Sequence, residues 1–283
     1  MKRAEVLETL ELLASDQWGI ITTAQAQREG VSRLHLSRLA DQGVIRRARR
    51  GVYLLPSNAE GPCSDIQAAW LSLEPQFFVD ERWATENLCV VSHQSAAQIH
   101  RIGGLIPLKH TFSVAGQKRA TQTDVEILAE RPLAPDDVVS IGGLPVTSIE
   151  RTIGDLAEAQ IERQYLAELV ADGLILGGNR FTEMAAKLEP FARNYQANSG
   201  AELVKALNGE ATTTESRRKL LEQLRDFVEL ADVAERLAAD DSADDEMFRS
   251  QAGAFLNALK EFLAGSQDIG VTATEEEARF ERR

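Results

Sequence analysis

A turn at Glu29-Gly30-Val31-Ser32, a stop at Gly43 and a closing Pro56 cut the first 56 residues into short pieces. This punctuation constrains the fold more than any other feature of the chain. Residues 4–14 place Val6, Leu7, Leu10, Leu13 and Ala14 at helical spacing. Trp18-Gly19-Ile20-Ile21-Thr22 reads as a turn running into an extended piece. Thr22 or Thr23 can then cap a short helix to about Arg28. Gly30 accepts a positive φ, and Ser32 is the next N-cap. A third helix from Arg33 to about Gln42 turns Leu36, Leu39 and Ala40 inward. Residues 44–47 and 51–55 form two strands of a hairpin joined through Ala48-Arg49-Arg50. Helix, helix, turn, helix and basic hairpin make a winged helix-turn-helix.

Charge singles out the same segment. The 283 residues carry 44 acidic and 31 basic side chains, a net charge of −13 that argues against indiscriminate coating of nucleic acid or anionic membrane. The charge is uneven. Residues 1–55 hold nine basic and six acidic side chains and are +3, which leaves −16 on the rest. Seven of the nine bases fall within positions 28–50. A basic pocket on an acidic body points to a selected binding surface.

Beyond Pro56 the pattern becomes mixed. Helical periodicity is expected at Asp65–Leu73 and Gln94–Ile102, and extended pieces at Leu88–Val91, Thr111–Val114, Asp124–Leu128, Val138–Ile141 and Pro145–Thr147. From Ser148 the chain reads mainly helical, with a break at Gly177-Gly178-Asn179. Two strongly periodic helices are expected at 215–239 and 247–263, separated by an acidic loop. The expected class is α+β: a winged helix-turn-helix over 1–58, then a larger mixed α/β domain over 59–283. That second domain is mixed to about 160, mainly helical over 161–265, and frayed over 266–283.

Most catalytic and metal chemistries lack their residues here. Cys63 and Cys89 are the only cysteines, so neither a disulfide framework nor a cysteine-rich zinc site is expected. His93 and His100 can share a helix face but have no further ligands at suitable spacing. Asp124, Glu126, Asp136 and Asp137 are available acids, yet no lysine follows on a strand as a metal-dependent nuclease would need. Gly103-Gly104 and Gly142-Gly143 are isolated pairs that fit turns, and no Gly-x-Ser-x-Gly elbow occurs. Thr147 or Ser148 can cap a helix in which Glu150 completes a capping box, with Arg151 and Asp155 as a surface pair. No cofactor, metal or catalytic residue is expected. No apolar run approaches the ~20 residues of a membrane span, and early acids break any signal-peptide pattern, so a cytoplasmic chain is expected.

The binding chemistry that does have its residues is DNA recognition. Ser32, Arg33, His35, Ser37 and Arg38 lie on the early turns of the third helix, where side chains reach phosphates and base edges in a major groove. Arg46, Arg47, Arg49 and Arg50 on the hairpin suit the adjacent backbone or minor groove.

Five stretches together resemble the AbiEi-type antitoxins, regulators of type IV (AbiE) toxin–antitoxin systems. They are Gly19-Ile-Ile-Thr-Thr, Gly30-Val-Ser-Arg, Gly43-Val-Ile-Arg-Arg-Ala-Arg-Arg-Gly-Val-Tyr53, Val91-Ser-His-Gln-Ser-Ala-Ala97 and Leu144-Pro-Val-Thr-Ser-Ile-Glu-Arg-Thr-Ile-Gly-Asp-Leu-Ala157. The resemblance covers residues 1 to about 160. It implies an N-terminal winged helix that binds promoter DNA and represses its own operon. It also implies a C-terminal domain that counteracts a nucleotidyltransferase toxin. It adds Thr22 and Thr23 to the DNA-facing set. Basic surfaces recur in the family's C-terminal domains, whereas this chain is acidic there.

The expected function is therefore that of a non-enzymatic antitoxin and autorepressor whose partners are double-stranded promoter DNA and a toxin, with no membrane. Three rivals remain at this point. They are a winged-helix factor with a ligand-sensing second domain, a winged-helix-targeted nuclease, and an interaction protein that docks through its late helices.

Overall fold

The computed structural model describes residues 3–58, 61, 63–178 and 180–211, which fall within one unit apart from Ala211. The expected helices at 215–239 and 247–263, the acidic loop between them and the tail at 266–283 lie outside the described residues, as does Asn179.

The first segment folds as α1 (Arg3–Ala14), β1 (Ile20–Thr22), α2 (Thr23–Arg28), α3 (Arg33–Asp41), β2 (Arg46–Arg49) and β3 (Val52–Leu54). Thr22, rather than Thr23, starts α2. Its Oγ1 accepts from the Gln25 amide N–H while the Gln25 side chain accepts from the Thr22 N–H, a reciprocal capping box. Both α2 and α3 end in the same way. Gly30 (φ +84°) and Gly43 (φ +68°) take the left-handed position. Val31 N–H then reaches back to the Ala26 carbonyl at 2.8 Å, and Val44 N–H to that of Leu39 at 2.9 Å. These six-to-one closures satisfy carbonyls that a bare helix end would leave open, and only glycine enters them without strain.

The three strands pair antiparallel in the order β1-β3-β2. β2 begins and ends two residues later than expected, because a bulge between Arg47 and Arg49 absorbs Ala48 and moves the turn to Arg50-Gly51. Alternate residues of the inner strands face two different cores. Ile21, Tyr53 and Leu55 pack with Val6, Leu10, Leu36 and Leu39. Ile20, Val52 and Leu54 pack on the other side with Ile66, Trp70, Phe112 and Val146. Strands β1 and β3 are therefore buried on both faces, which is why Ile20-Ile21 and Val52–Leu55 are continuous apolar runs.

The mixed part consists of α4 (Ser64–Leu73), α5 (Val79–Trp83), β4 (Val90–Val91), α6 (His93–His100), β5 (His110–Ser113), β6 (Val125–Leu128), β7 (Val138–Ile141) and β8 (Leu144–Thr147). Its five strands run β6-β5-β4-β8-β7, with β5–β6 and β4–β8 parallel and the other pairs antiparallel. Helices α7 (Ile149–Glu158), α8 (Arg163–Leu176), α9 (Phe181–Leu188) and α10 (Gly200–Glu210) follow and pack together. The architecture is α+β, as expected. Among the described residues, no helix is long and apolar enough to cross a membrane.

Tryptophans join the first segment to the rest. Trp18 meets Trp70 edge-to-face with ring centroids 6.2 Å apart, and its indole N–H donates to the Gly142 carbonyl at 2.5 Å. Trp70 in turn carries the buried Arg82 guanidinium 3.4 Å from its ring centroid. Burial lowers the Arg82 pKa to about 10, and the charge is retained because it faces Trp70 and Glu74.

Candidate nucleic-acid interface

α3 presents two unlike sides. Leu36 and Leu39 are buried in the first core, whereas Arg33, Leu34 and Arg38 are exposed and Ser37 is half-buried. Ser32 caps the helix: its hydroxyl accepts from the His35 N–H at 3.4 Å and lies 3.1 Å from His35 Nδ1. Arg33 Nε donates to Gln27 Oε1 at 3.1 Å, which ties the start of α3 to the end of α2. Ser37 donates to Asp41 at 3.4 Å. All five expected residues of this helix thus share its outer side or its first turn.

The hairpin divides its arginines. Arg46, Arg47 and Arg50 are exposed. The Arg47 guanidinium lies 5.4 Å from the Tyr53 ring centroid and donates to the Tyr53 hydroxyl at 3.3 Å, while the residue stays exposed. Arg49 instead turns inward. It pairs with Asp124 in the loop before β6 and donates to Ser72 on α4 at 3.4 Å, which leaves 14% of its side chain exposed. Its charge is answered within the protein.

Two further expected members also have internal work. Thr22 is fully buried, with its hydroxyl shared between the α2 cap and the Pro75 carbonyl, and burial removes it from any groove-facing set. Thr23 is half-buried, and its N–H donates to the Gly51 carbonyl at 2.8 Å, fixing α2 against the hairpin turn. Arg28 forms a two-pronged pair with Glu81 at 2.7 and 2.8 Å and stacks on Phe78. The Arg28 hydrogen bond holds the Glu81 carboxyl below its usual range.

The remaining expected chemistry is dispersed. Asp137 sits under Arg151 (2.9 Å) and Lys187, and Arg151 also holds Asp155 at 2.8 Å. This corrects the expected surface pair. Asp137 and Asp155 are buried, because the 3-10 turn before β7 and helix α9 cover that side of α7. Burial raises the Asp155 carboxyl despite Arg151, while hydrogen bonds from Lys187 and Arg151 overcome burial at Asp137 and hold it low. Ser148 caps α7, but Glu150 faces Arg180 at 3.5 Å instead of closing a capping box. His93 and His100 both belong to α6. Nδ1 of His93 lies 3.1 Å from the Ser92 hydroxyl, and Nε2 of His100 lies 2.7 Å from the Thr147 carbonyl. Gly142-Gly143 forms the β7–β8 turn. Among the described residues, no three His, Cys, Asp or Glu side chains gather as a metal-holding group.

The family model described as "Transcriptional regulator, AbiEi antitoxin" matches residues 8–56. Over this segment the chain is similar to the AbiEi antitoxin regulators. The matched span runs from within α1 to just past β3, and so contains every residue placed above on α3 and the hairpin. A search of the curated proteins finds no match to the chain. One exposed apolar residue of α3 escaped the sequence reading. Leu34 stands among its arginines, and the available signal was its position off the Leu36/Leu39 stripe.

Proposed function

We propose that α2, α3 and the β2–β3 hairpin are a winged helix-turn-helix that binds double-stranded DNA at the chain's own promoter. The carrying observation is that Arg33, Arg38, Arg46, Arg47 and Arg50 point outward from one capped helix and one hairpin, over two cores that fix both. α3 enters the major groove, where Arg33 and Arg38 reach phosphates or guanine edges. The hairpin arginines clamp the adjacent backbone, each phosphate adding about −0.9 to the slope of log K against log salt. The −16 carried after residue 55 disfavours other docking orientations.

The AbiEi match supports antitoxin and regulator roles for this segment. In this reading the chain acts without catalysis in the cytoplasm, represses its operon and counteracts a nucleotidyltransferase toxin. The test is two-fold. The chain should shift a duplex from upstream of its own reading frame and silence a reporter driven by it. It should also restore growth when co-expressed with a nucleotidyltransferase encoded next to it. Failure of the first removes the repressor role, and failure of the second removes the antitoxin role.

The ligand-sensing alternative, framed for the second domain, has one opening to test at the edge of the first segment. An open cavity of about 520 Å³ lies between Glu11, Ser15 and Trp18 on one side and Cys63, Ser64 and Gln67 on the other. A small-molecule screen that raises the melting temperature and changes DNA affinity together would support that reading.

A further inference from the structure

We propose that Leu34 is a base-reading residue that packs against the methyl group of a thymine in the major groove. The inference rests on the DNA-binding reading above and adds to it a preference for thymine, beside any guanine contact the arginines make.

α3 already has the apolar stripe its core needs. Leu36 and Leu39 are 0% and 3% exposed. Leu34 lies two residues before Leu36, a rotation of about 200°, and is 57% exposed. It is the one large apolar side chain of α3 left in water. A single exposed leucine on a helix is ordinary. This one sits in the first turn after the Ser32 cap, the part of a groove-entering helix that meets base edges. Arg33 precedes it, and Ser37 and Arg38 stand three and four residues on, adjacent on the helix surface. A partner covering Leu34 must therefore also accept the charges of Arg33 and Arg38. Duplex DNA does so with phosphates, and the thymine methyl is the apolar group it displays in the major groove. A protein partner would instead have to bring carboxylates to Arg33 and Arg38 and an apolar pocket to Leu34.

The test uses the full chain and the duplex it selects from a random-sequence pool. Each thymine of that duplex is replaced in turn by deoxyuridine, which lacks the methyl and keeps the pairing. Burial of one methyl corresponds to about four-fold in affinity. One thymine position should lose about that factor on replacement. Leu34→Ala should weaken binding to the thymine duplex comparably and erase the thymine–uracil difference. Leu34→Gln, which keeps the side-chain length and removes its apolar tip, should do the same. Unchanged urea midpoints establish that both variants fold. Retention of the difference in either folded variant, or a wild-type chain indifferent to every replacement, overturns the role of Leu34 while leaving DNA binding intact. A chain that selects no duplex overturns the DNA-binding reading, and this inference with it.

Discussion

Arg49 of the hairpin is held by the exposed Asp124 carboxylate, so one of the four hairpin arginines is already paired within the protein. Arg49→Ala should accordingly change DNA affinity less than Arg50→Ala. Asp124→Asn should release the guanidinium and steepen the salt dependence by up to about 0.9. Fluorescence anisotropy across a salt series measures both, and equal losses in the two arginine variants would contradict the assignment.

Thr22 and Gln25 are structural in this account, and the prediction separates them from DNA binding. Thr22→Val leaves the first N–H groups of α2 without their cap and should cost about 1–2 kcal/mol. Gln25→Ala also abandons the buried Gln17 amide and the Phe77 carbonyl, and should cost more. Urea unfolding gives both values. The salt slope of DNA binding by the folded fraction should not move.

Arg151 neutralises two buried carboxylates at once. Arg151→Ala strands Asp155, leaves Asp137 with Lys187 alone, and should destabilise by about 3–5 kcal/mol. Pairing the change with Asp155→Leu should recover part of that loss, because the stranded charge is then gone. Equal urea midpoints for wild type and Arg151→Ala would show that the network is solvated.

Acidification should weaken the fold through its histidines. Burial lowers the pKa of His93, His100 and His110 below the ordinary value near 6.5. Between that value and the lower folded ones, the unfolded chain binds protons that the folded chain refuses. Stability is therefore full above about pH 6.5 and falls as pH drops through that window. Buried Asp155 acts oppositely, since its folded carboxyl binds a proton more readily than its unfolded one. Melting temperatures at pH 7.5 and 5.5 test the sign. A His93→Gln/His100→Gln/His110→Gln variant should show a smaller drop than wild type.

Much of the first segment is legible because its signals are local. Ser32, Gly30 and Gly43 act through hydrogen bonds to residues within five positions, and each takes its expected role. The hairpin register depends on a bulge at Ala48, which no turn residue announces, so the strand ends slip while the hairpin survives. Helix α5 escapes the reading because its Glu81 is set by Arg28, more than fifty residues earlier in the chain. The Arg151/Asp155 spacing shows that the two side chains meet; it cannot show that Asp137 and Lys187 close over them. The same limit applies to the arginines. Composition places seven bases in positions 28–50, and only the fold reveals that Arg28 and Arg49 are answered by Glu81 and Asp124.

The central claim is that α3 and the hairpin neutralise DNA phosphates, and the salt dependence of binding tests it most directly. The measurement compares wild type with a folded Arg38→Ala/Arg46→Ala/Arg50→Ala variant on DNA from upstream of the chain's reading frame. The account predicts a flatter slope of log K against log salt, by about 0.9 for each phosphate the variant leaves unneutralised. An unchanged slope and affinity in that variant would contradict it.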